Sequence, residues 1–244
     1  MKRLSIISIT YNNFKGLSKT LAIFQSNQFH SEIEIVIIDG GSTDETANFL
    51  KQQTLTDNWV SEPDKGIYDA MNKGLKRATG AYVWFLNAGD YVYSEDSLNA
   101  VLKGVKLMPD AMYGETMLVD NDGNEIGTRS EQTTRKLPEK LTWASFKRGM
   151  NVGHQAFIIK RSLVLPYNTQ WKHVADIDWM IRCLKQCQKV LNLNATLVNF
   201  TLEGHSTIHR KASNKERFKV LQLHYGLLSN LWSHFVISMR HIAK

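Results

Sequence analysis

The 244-residue chain contains only two cysteines and four prolines, and no long uninterrupted apolar run. Cys183 and Cys187 stand four apart in a helical stretch, which suits reduced, packed thiols and excludes a disulfide scaffold or a cysteine zinc site. No segment rich in Pro, Gly or Ser marks a linker, and no internal repeat is visible. Every apolar stretch falls short of the roughly 18–20 residues that a membrane-spanning helix needs. Met1-Lys2-Arg3-Leu4 runs straight into a strand-like segment without a small-residue cleavage site, which predicts a cytoplasmic chain. Glycine-rich phosphate cradles are also missing: neither G-x-G-x-x-G nor G-x-x-x-x-G-K-[ST] occurs, which argues against a nicotinamide dehydrogenase or a P-loop NTPase.

What is present is an ordinary globular composition, 43% hydrophobic and 22% charged, which excludes disordered and collagen-like classes. The net charge of +7 is uneven. Residues 205–244 hold seven Lys/Arg against the single acid Glu216, leaving a near-neutral body. A basic tail on a neutral body predicts a docking element and no nucleic-acid partner.

The first ninety residues alternate strand and helix. Leu4 to Thr10, Ile33 to Ile38, Asn58 to Glu62 and Ala81 to Leu86 read as strands. Leu17, Leu21 and Phe24 have helical spacing, and so does the stretch from Ile67 to Arg77. Ser42 followed by Glu45 has the pattern of a capping box opening a helix to about Gln53. This order predicts an α/β fold, a doubly wound and mostly parallel sheet flanked by helices. The second half is less regular: short strands around a turn at Asn121-Asp122-Gly123-Asn124, a strand over 155–160, a helix over 174–185, a strand over 189–200 and a long helix over 214–242. The expected organisation is a domain over 1–204, with 1–90 as nucleotide-donor half and 91–204 as acceptor half, and an extension over 205–244.

In open α/β sheets the ligand crevice lies beyond the carboxyl ends of the strands. Thr10-Tyr11-Asn12, Asp39-Gly40-Gly41 and Asn87-Ala88-Gly89-Asp90 stand at three such ends. The blocks SIISITYNN, EIVIIDGGSTDET and SEPDKGIYDAMNKGLKRATGAYVWFLNAGD, with HVADIDWMIR further on, resemble the family 2 glycosyltransferases of GT-A fold. The resemblance is densest over Leu4–Asp90. It implies an inverting hexosyltransferase that uses a nucleotide-activated sugar and a divalent metal, Mn²⁺ or Mg²⁺. The subgroup it resembles builds bacterial capsule, exopolysaccharide or lipopolysaccharide, which makes a glycan or lipid-linked oligosaccharide the implied acceptor and UDP the default nucleotide.

By that resemblance Asp39 accepts a hydrogen bond from the nucleotide base, and Thr10, Tyr11 and Asn12 line base and ribose. Asp69 and Asn72, three apart on one helix face, look toward the donor, and Lys65 neutralises diphosphate. Each has a plainer reading: Asp39 satisfying loop amides, Asp69 pairing with Lys73, Lys65 as an exposed loop lysine. Most relatives carry Asp-x-Asp where this chain has Asn87-Ala88-Gly89-Asp90. Hard cations bind through one or two carboxylates plus substrate phosphates, so Asp90 alone suffices as metal ligand, with Asn87 adding a carbonyl oxygen or an ordering hydrogen bond.

An inverting transfer needs a carboxylate to take the acceptor proton. In VADIDWMIR, Ile177, Met180, Ile181 and Leu184 form a buried stripe. Asp176 and Asp178, two apart, point in nearly opposite directions and cannot act as a pair. Asp178 can pair with Arg182 on the solvent side. Asp176 aligns by resemblance with the family base, with Ala175 in place of the preceding Glu. His205, after the last strand, is a second candidate metal ligand or a solvated loop residue; His209 follows it, and His154 is either an acceptor-side residue or a packed core histidine. The apolar stripe Leu221, Leu228, Leu231, Phe235, Met239 and Ile242, behind a basic start, fits peripheral attachment to the cytoplasmic face of the inner membrane, or packing on the domain or on a second subunit. A sugar nucleotidyltransferase is disfavoured by the loop Thr10-Tyr11-Asn12-Asn13. A degenerate nucleotide- or glycan-binding subunit of an assembly complex is the non-enzymatic alternative.

Overall fold

The structure is a computed structural model that describes residues 2–25, 29, 31–56, 58–202 and 210–233. Its first half follows from buried β-branched runs. Strand β1 (Leu4–Thr10) is buried at every position, and β2 (Ile33–Asp39) at all but one. A strand buried on both faces is apolar throughout, as parallel strands covered by helices are. They pair in parallel with Thr10 opposite Asp39, and β3 (Trp59–Ser61) continues the sheet with Ser61 opposite Asp39. Strand β4 (Tyr82–Phe85) pairs with β1 on its other side, so four carboxyl ends open on one edge.

The sheet then changes character. Strands β5 (Tyr91–Val92), β6 (Ala111–Val119), β7 (Glu125–Thr128), β8 (Phe157–Lys160) and β9 (Val190–Thr201) complete it. Among the described residues the nine strands form one sheet in the order β3-β2-β1-β4-β8-β6-β9-β5, with β7 paired to β6. Strands β8, β5 and β7 run antiparallel to their neighbours, whereas β6 and β9 pair in parallel. The sheet is therefore mixed in its second half and parallel in its first.

Helices α1 (Phe14–Leu21), α2 (Thr46–Gln52), α3 (Ile67–Arg77) and α4 (Glu95–Lys106) follow in chain order. After them come the short α5 (Arg129–Gln132), α6 (Ala175–Leu184) and α7 (Arg210–Tyr225). Helix α3 packs so tightly on β1 that a Cβ on Gly74 would come 2.4 Å from the Ile7 side chain. The core includes Trp84, Trp179, Tyr113, Phe85 and Phe157, all fully buried. Each such side chain contributes about 1.5–3 kcal/mol of burial free energy.

Three local expectations are corrected. The capping box at Ser42 does not form: the Ser42 hydroxyl donates to Asp39, and the Thr46 N–H is met by Asp44 Oδ1 at 3.0 Å. Asp178 is not on the solvent side. It is 1% exposed and lies under α7, accepting from Arg182 Nε at 2.7 Å and bonded to His224 Nε2 at 2.8 Å. The long C-terminal helix is interrupted, because Gly226 takes a left-handed φ of +82° between α7 and a second helical stretch over 227–233. Phe235, Met239 and Ile242 lie outside the described residues.

Helix α7 packs on the domain. Val220 and Leu221 are buried, the Tyr225 and Trp143 rings stack at 5.5 Å, and Glu216 accepts from the Lys172 and His173 N–H groups just ahead of α6. Both cysteines are free, and burial pushes each thiol up to about 12, so they are inert packed side chains. Among the described residues no helix is long and apolar enough to cross a membrane.

Candidate active site

The strand ends are joined by a closed hydrogen-bond network. Asp39 is fully buried. It accepts from the Ser42 N–H at 3.0 Å and from the hydroxyls of Ser42 and Ser61. Asn12, at φ +46°, donates its N–H to Ser42 Oγ at 2.7 Å, and its side-chain oxygen accepts from the Thr43 N–H at 2.8 Å. The Thr10 carbonyl accepts from the Gly40 N–H at 2.9 Å. The β1 and β2 loops are thereby locked together, and Tyr11, 63% exposed, lies with its ring beside Gly40.

The turn after β4 is built by neighbours from α1. Asp90 N–H donates to the Asn87 carbonyl at 2.9 Å, closing a tight turn in which Gly89 has φ +106°, a conformation that favours glycine. The Thr20 hydroxyl accepts from the Gly89 N–H at 3.0 Å, and Asn13 Nδ2 donates to the Ala88 carbonyl at 3.2 Å. This holds the Asp90 carboxyl in a nearly closed position, 8% exposed, with Gln155 Nε2 donating to it at 3.0 Å. Burial raises its pKa to about 7, partly opposed by that hydrogen bond. Beside it the Asn87 side-chain oxygen is buried without a partner. A desolvated carboxyl and an orphaned carbonyl oxygen on one turn are hard-oxygen donors lacking a counter-charge, so these residues fit a divalent cation. Among the described residues no cluster of three or more His, Cys, Asp or Glu could hold a metal by itself, and His205 and His209 lie outside those residues.

Asp176 sits in the first turn of α6. Its Oδ1 accepts from the Ile177 N–H at 2.9 Å and from the Tyr68 hydroxyl at 3.3 Å. Burial raises the Asp176 pKa above the usual carboxylate value, while the two hydrogen bonds and the charge of Arg217 pull it back.

An aromatic train links the two carboxyls. Tyr68 stacks on Tyr167 at 5.7 Å, the Tyr167 hydroxyl meets His154 Nε2 at 2.6 Å, and the next residue, Gln155, holds Asp90. Sequence reasoning missed Tyr68 and Tyr167, paired Gln155 with His154 as a candidate acceptor-side residue, and read Arg217 only as part of the basic start of the C-terminal helix. Their signal is tertiary, apart from the place of Tyr68 one residue before Asp69. His154 is a packed core histidine, ringed by Phe85, Tyr167 and Trp179, and burial lowers its pKa to about 4.

The remaining candidates hold the start of α3 in place. Asp69 Oδ2 accepts from the Lys65 N–H at 3.1 Å and is 3.9 Å from Lys73 Nζ, which pairs more closely with Glu62 at 2.8 Å. The Lys65 side chain is exposed. Asn72 is a two-sided clamp on the Tyr167 backbone: Nδ2 donates to its carbonyl at 3.0 Å, and Oδ1 accepts from its N–H at 2.7 Å.

Residues 5–165 match the model of the glycosyl transferase family 2. The chain belongs to this family. An uncharacterised glycosyltransferase of Mycobacterium tuberculosis is 29% identical over 214 residues, covering 86% of this chain and 78% of that protein. A glycosyltransferase of PGL/p-HBAD biosynthesis from Mycobacterium bovis is 33% identical over 167 residues, covering 65% of this chain and 60% of the relative. The fold of this family 2 member is GT-A, as in Staphylococcus aureus TarS 1–349. That structure superposes with a TM-score of 0.67 at 17% identity, over 97% of this chain and 72% of TarS 1–349. TarS 1–349 has also been solved with UDP-GlcNAc. The mannosyltransferase PcManGT of Pyrobaculum calidifontis, solved with GDP-Man and Mn²⁺, has a TM-score of 0.63 at 19% identity, over 95% of this chain and 71% of that one.

Proposed function

We propose that this glycosyltransferase is an inverting hexosyltransferase that moves a sugar from a nucleoside-diphosphate donor, UDP by default, to a hydroxyl of a glycan or lipid-linked acceptor in bacterial surface polysaccharide assembly. The observation that carries this reading is the pair of desolvated carboxyls, Asp90 and Asp176, joined through Tyr68, Tyr167 and the His154-Gln155 pair. Two carboxyls in different environments take different roles.

Asp90, with the Asn87 side-chain oxygen, would hold a Mn²⁺ or Mg²⁺ ion that neutralises charge on the departing diphosphate. Asp176 takes the proton of the acceptor hydroxyl as that oxygen forms its bond to the anomeric carbon and the bond to the diphosphate oxygen breaks. Its raised pKa brings it closer to working pH, where a general base is most effective. Tyr68 holds one carboxylate oxygen by hydrogen bond, orienting the other. Asp39, Thr10, Tyr11 and Asn12 form the floor for base and ribose. Asp69 shapes the Lys65 loop near the donor, and Asn72 positions Tyr167.

The exposed residues Leu223, Leu227, Leu228 and Leu231, beside the exposed lysines Lys211, Lys215 and Lys219, support peripheral contact with an anionic cytoplasmic leaflet where a lipid-linked acceptor resides. Flotation with phosphatidylglycerol vesicles tests this: Leu228→Glu should lower the bound fraction, and no binding of the wild type would overturn it.

The donor-site reading is tested by calorimetric titration of UDP, GDP and CMP with and without Mn²⁺, on wild type and on Asp90→Ala. Manganese-dependent binding of one nucleotide, lost in the variant, is expected. Failure of all three to bind would favour a glycan-binding subunit without turnover.

A further inference from the structure

Three arginines gather from separate parts of the chain, and one of them, Arg217, acts on Asp176. Arg129 opens α5, Arg135 follows in the next loop, and Arg217 lies on α7. All three are half-buried. Burial, together with the charges of Arg217 and Arg129, lowers the pKa of Arg135 to about 10. Arg129 is lowered by burial and by Arg217 against the pull of Glu115; Arg217 is lowered by burial against the pull of Asp176. Among the described residues none of the three forms a salt bridge. Arg129 Nη2 donates to the Met150 carbonyl at 2.6 Å, yet its Nη1 is buried without a partner, as is Nε of Arg217. Arg135 lies face-on against Gly149, where φ is +102° and a Cβ would come 2.9 Å from the guanidinium carbon.

Like charges brought together and partly desolvated repel one another, and N–H groups buried without acceptors are costly. The fold nevertheless assembles this cluster, with the Arg135 guanidinium packed against the glycine that ends the turn over 143–148. Guanidinium forks match the oxygens of phosphate and carboxylate. We propose that Arg129, Arg135 and Arg217 form a subsite for an oxyanion carried by the acceptor, a phosphate or a carboxylate, adjoining the hydroxyl that Asp176 deprotonates. The proposal rests on the transferase reading for the role of Asp176. An acceptor group is favoured over the donor diphosphate because one member of the cluster, Arg217, acts electrostatically on Asp176, whereas burial and the Gln155 hydrogen bond alone act on Asp90.

The test uses the full chain with inorganic phosphate as probe of the subsite, acetate in parallel to tell the two oxyanions apart, and UDP with Mn²⁺ as probe of the donor site. Calorimetry should show phosphate or acetate binding that weakens about tenfold in Arg135→Gln and in Arg217→Gln, with less loss in Arg135→Lys. The bound anion should persist when UDP is saturating, and UDP affinity should change by less than about twofold in the variants. Thermal melting of each variant separates lost binding from lost folding, and the anion should raise the Tm of the wild type but not that of Arg135→Gln. Anion binding that is absent, or equal in folded Gln variants, overturns the proposal. Full displacement of phosphate by UDP also overturns it, assigning the arginines to the donor diphosphate. If UDP, GDP and CMP all fail to bind while anion binding stays arginine-dependent, the transferase reading falls and the oxyanion site stands.

Discussion

Along the carboxyl ends of β1 to β3, Asp39, Asn12 and Ser42 close their hydrogen bonds on one another, whereas near the start of α6 Arg129 and Arg217 keep buried N–H groups unmet. The first wall is closed around Asp39, with the Thr10 and Thr46 hydroxyls nearby buried without partners, and the second leaves charged donors unmet. The Asn87–Asp90 turn belongs with the second in chemistry, though it sits beside the first in space. Substitutions in the closed network should lower stability, and substitution of Asp176 should lower turnover.

The largest expected effect is Asp176→Asn. Removing a general base should lower turnover by roughly 10²–10⁴-fold while leaving nucleotide affinity unchanged, as read by nucleotide release and calorimetry. Near-normal turnover would break the contrast between the walls. Asp39→Ala should lower unfolding free energy by about 2–4 kcal/mol in urea titration, since it orphans the Ser42 N–H and two hydroxyls in a buried place. Asp69→Ala, at a more exposed position, should cost less than about 1 kcal/mol. Equal losses in these two would erase the distinction between buried floor and open loop.

Stability against pH sharpens the picture of the packed train. Burial holds the His154 pKa near 4 in the folded chain against 6.5 ordinarily, so the unfolded chain takes up the proton first as pH falls. The contribution of His154 is complete above about pH 6.5 and declines toward pH 4, where roughly 3 kcal/mol is lost. Urea midpoints of His154→Phe should lack this fall; a wild-type profile in that variant would mean that other groups carry it. An effect between those of Asp39→Ala and Asp69→Ala is expected at the α6–α7 contact. Asp178→Asn leaves Arg182 and His224 without their carboxylate and should cost about 1–3 kcal/mol, with increased proteolysis of α7 as the local readout.

The parallel half of the sheet was legible because its signal is local: buried β-branched runs of strand length, each followed by polar residues and helical spacing. Helix α3 spans Ile67–Arg77 as the periodicity predicted, and the turn at 121–124 separates β6 from β7. The capping box failed because Ser42 has a competing acceptor in Asp39, three residues earlier in sequence and fixed in space by β2. Asp178 was misplaced because helical periodicity describes one helix in isolation, and only the arrival of α7 turns that face into an interior. His154 could not be assigned from sequence, since a buried and an acceptor-side histidine read alike until the rings around it are known.

The sequence by itself determined the α/β class, the edge on which the first four strands end, and the separation of Asp176 from Asp178 onto different sides of one helix. These follow from periods of two and 3.6 residues, which are properties of the backbone. Tertiary structure alone decided which polar groups are satisfied and which are not. Asp39 and Asn72 gained partners 22 and 95 residues away in the chain, and Arg129, Arg135 and Arg217 came together from three segments. Burial and charge depend on everything nearby in space, and no local pattern in the sequence encodes that sum.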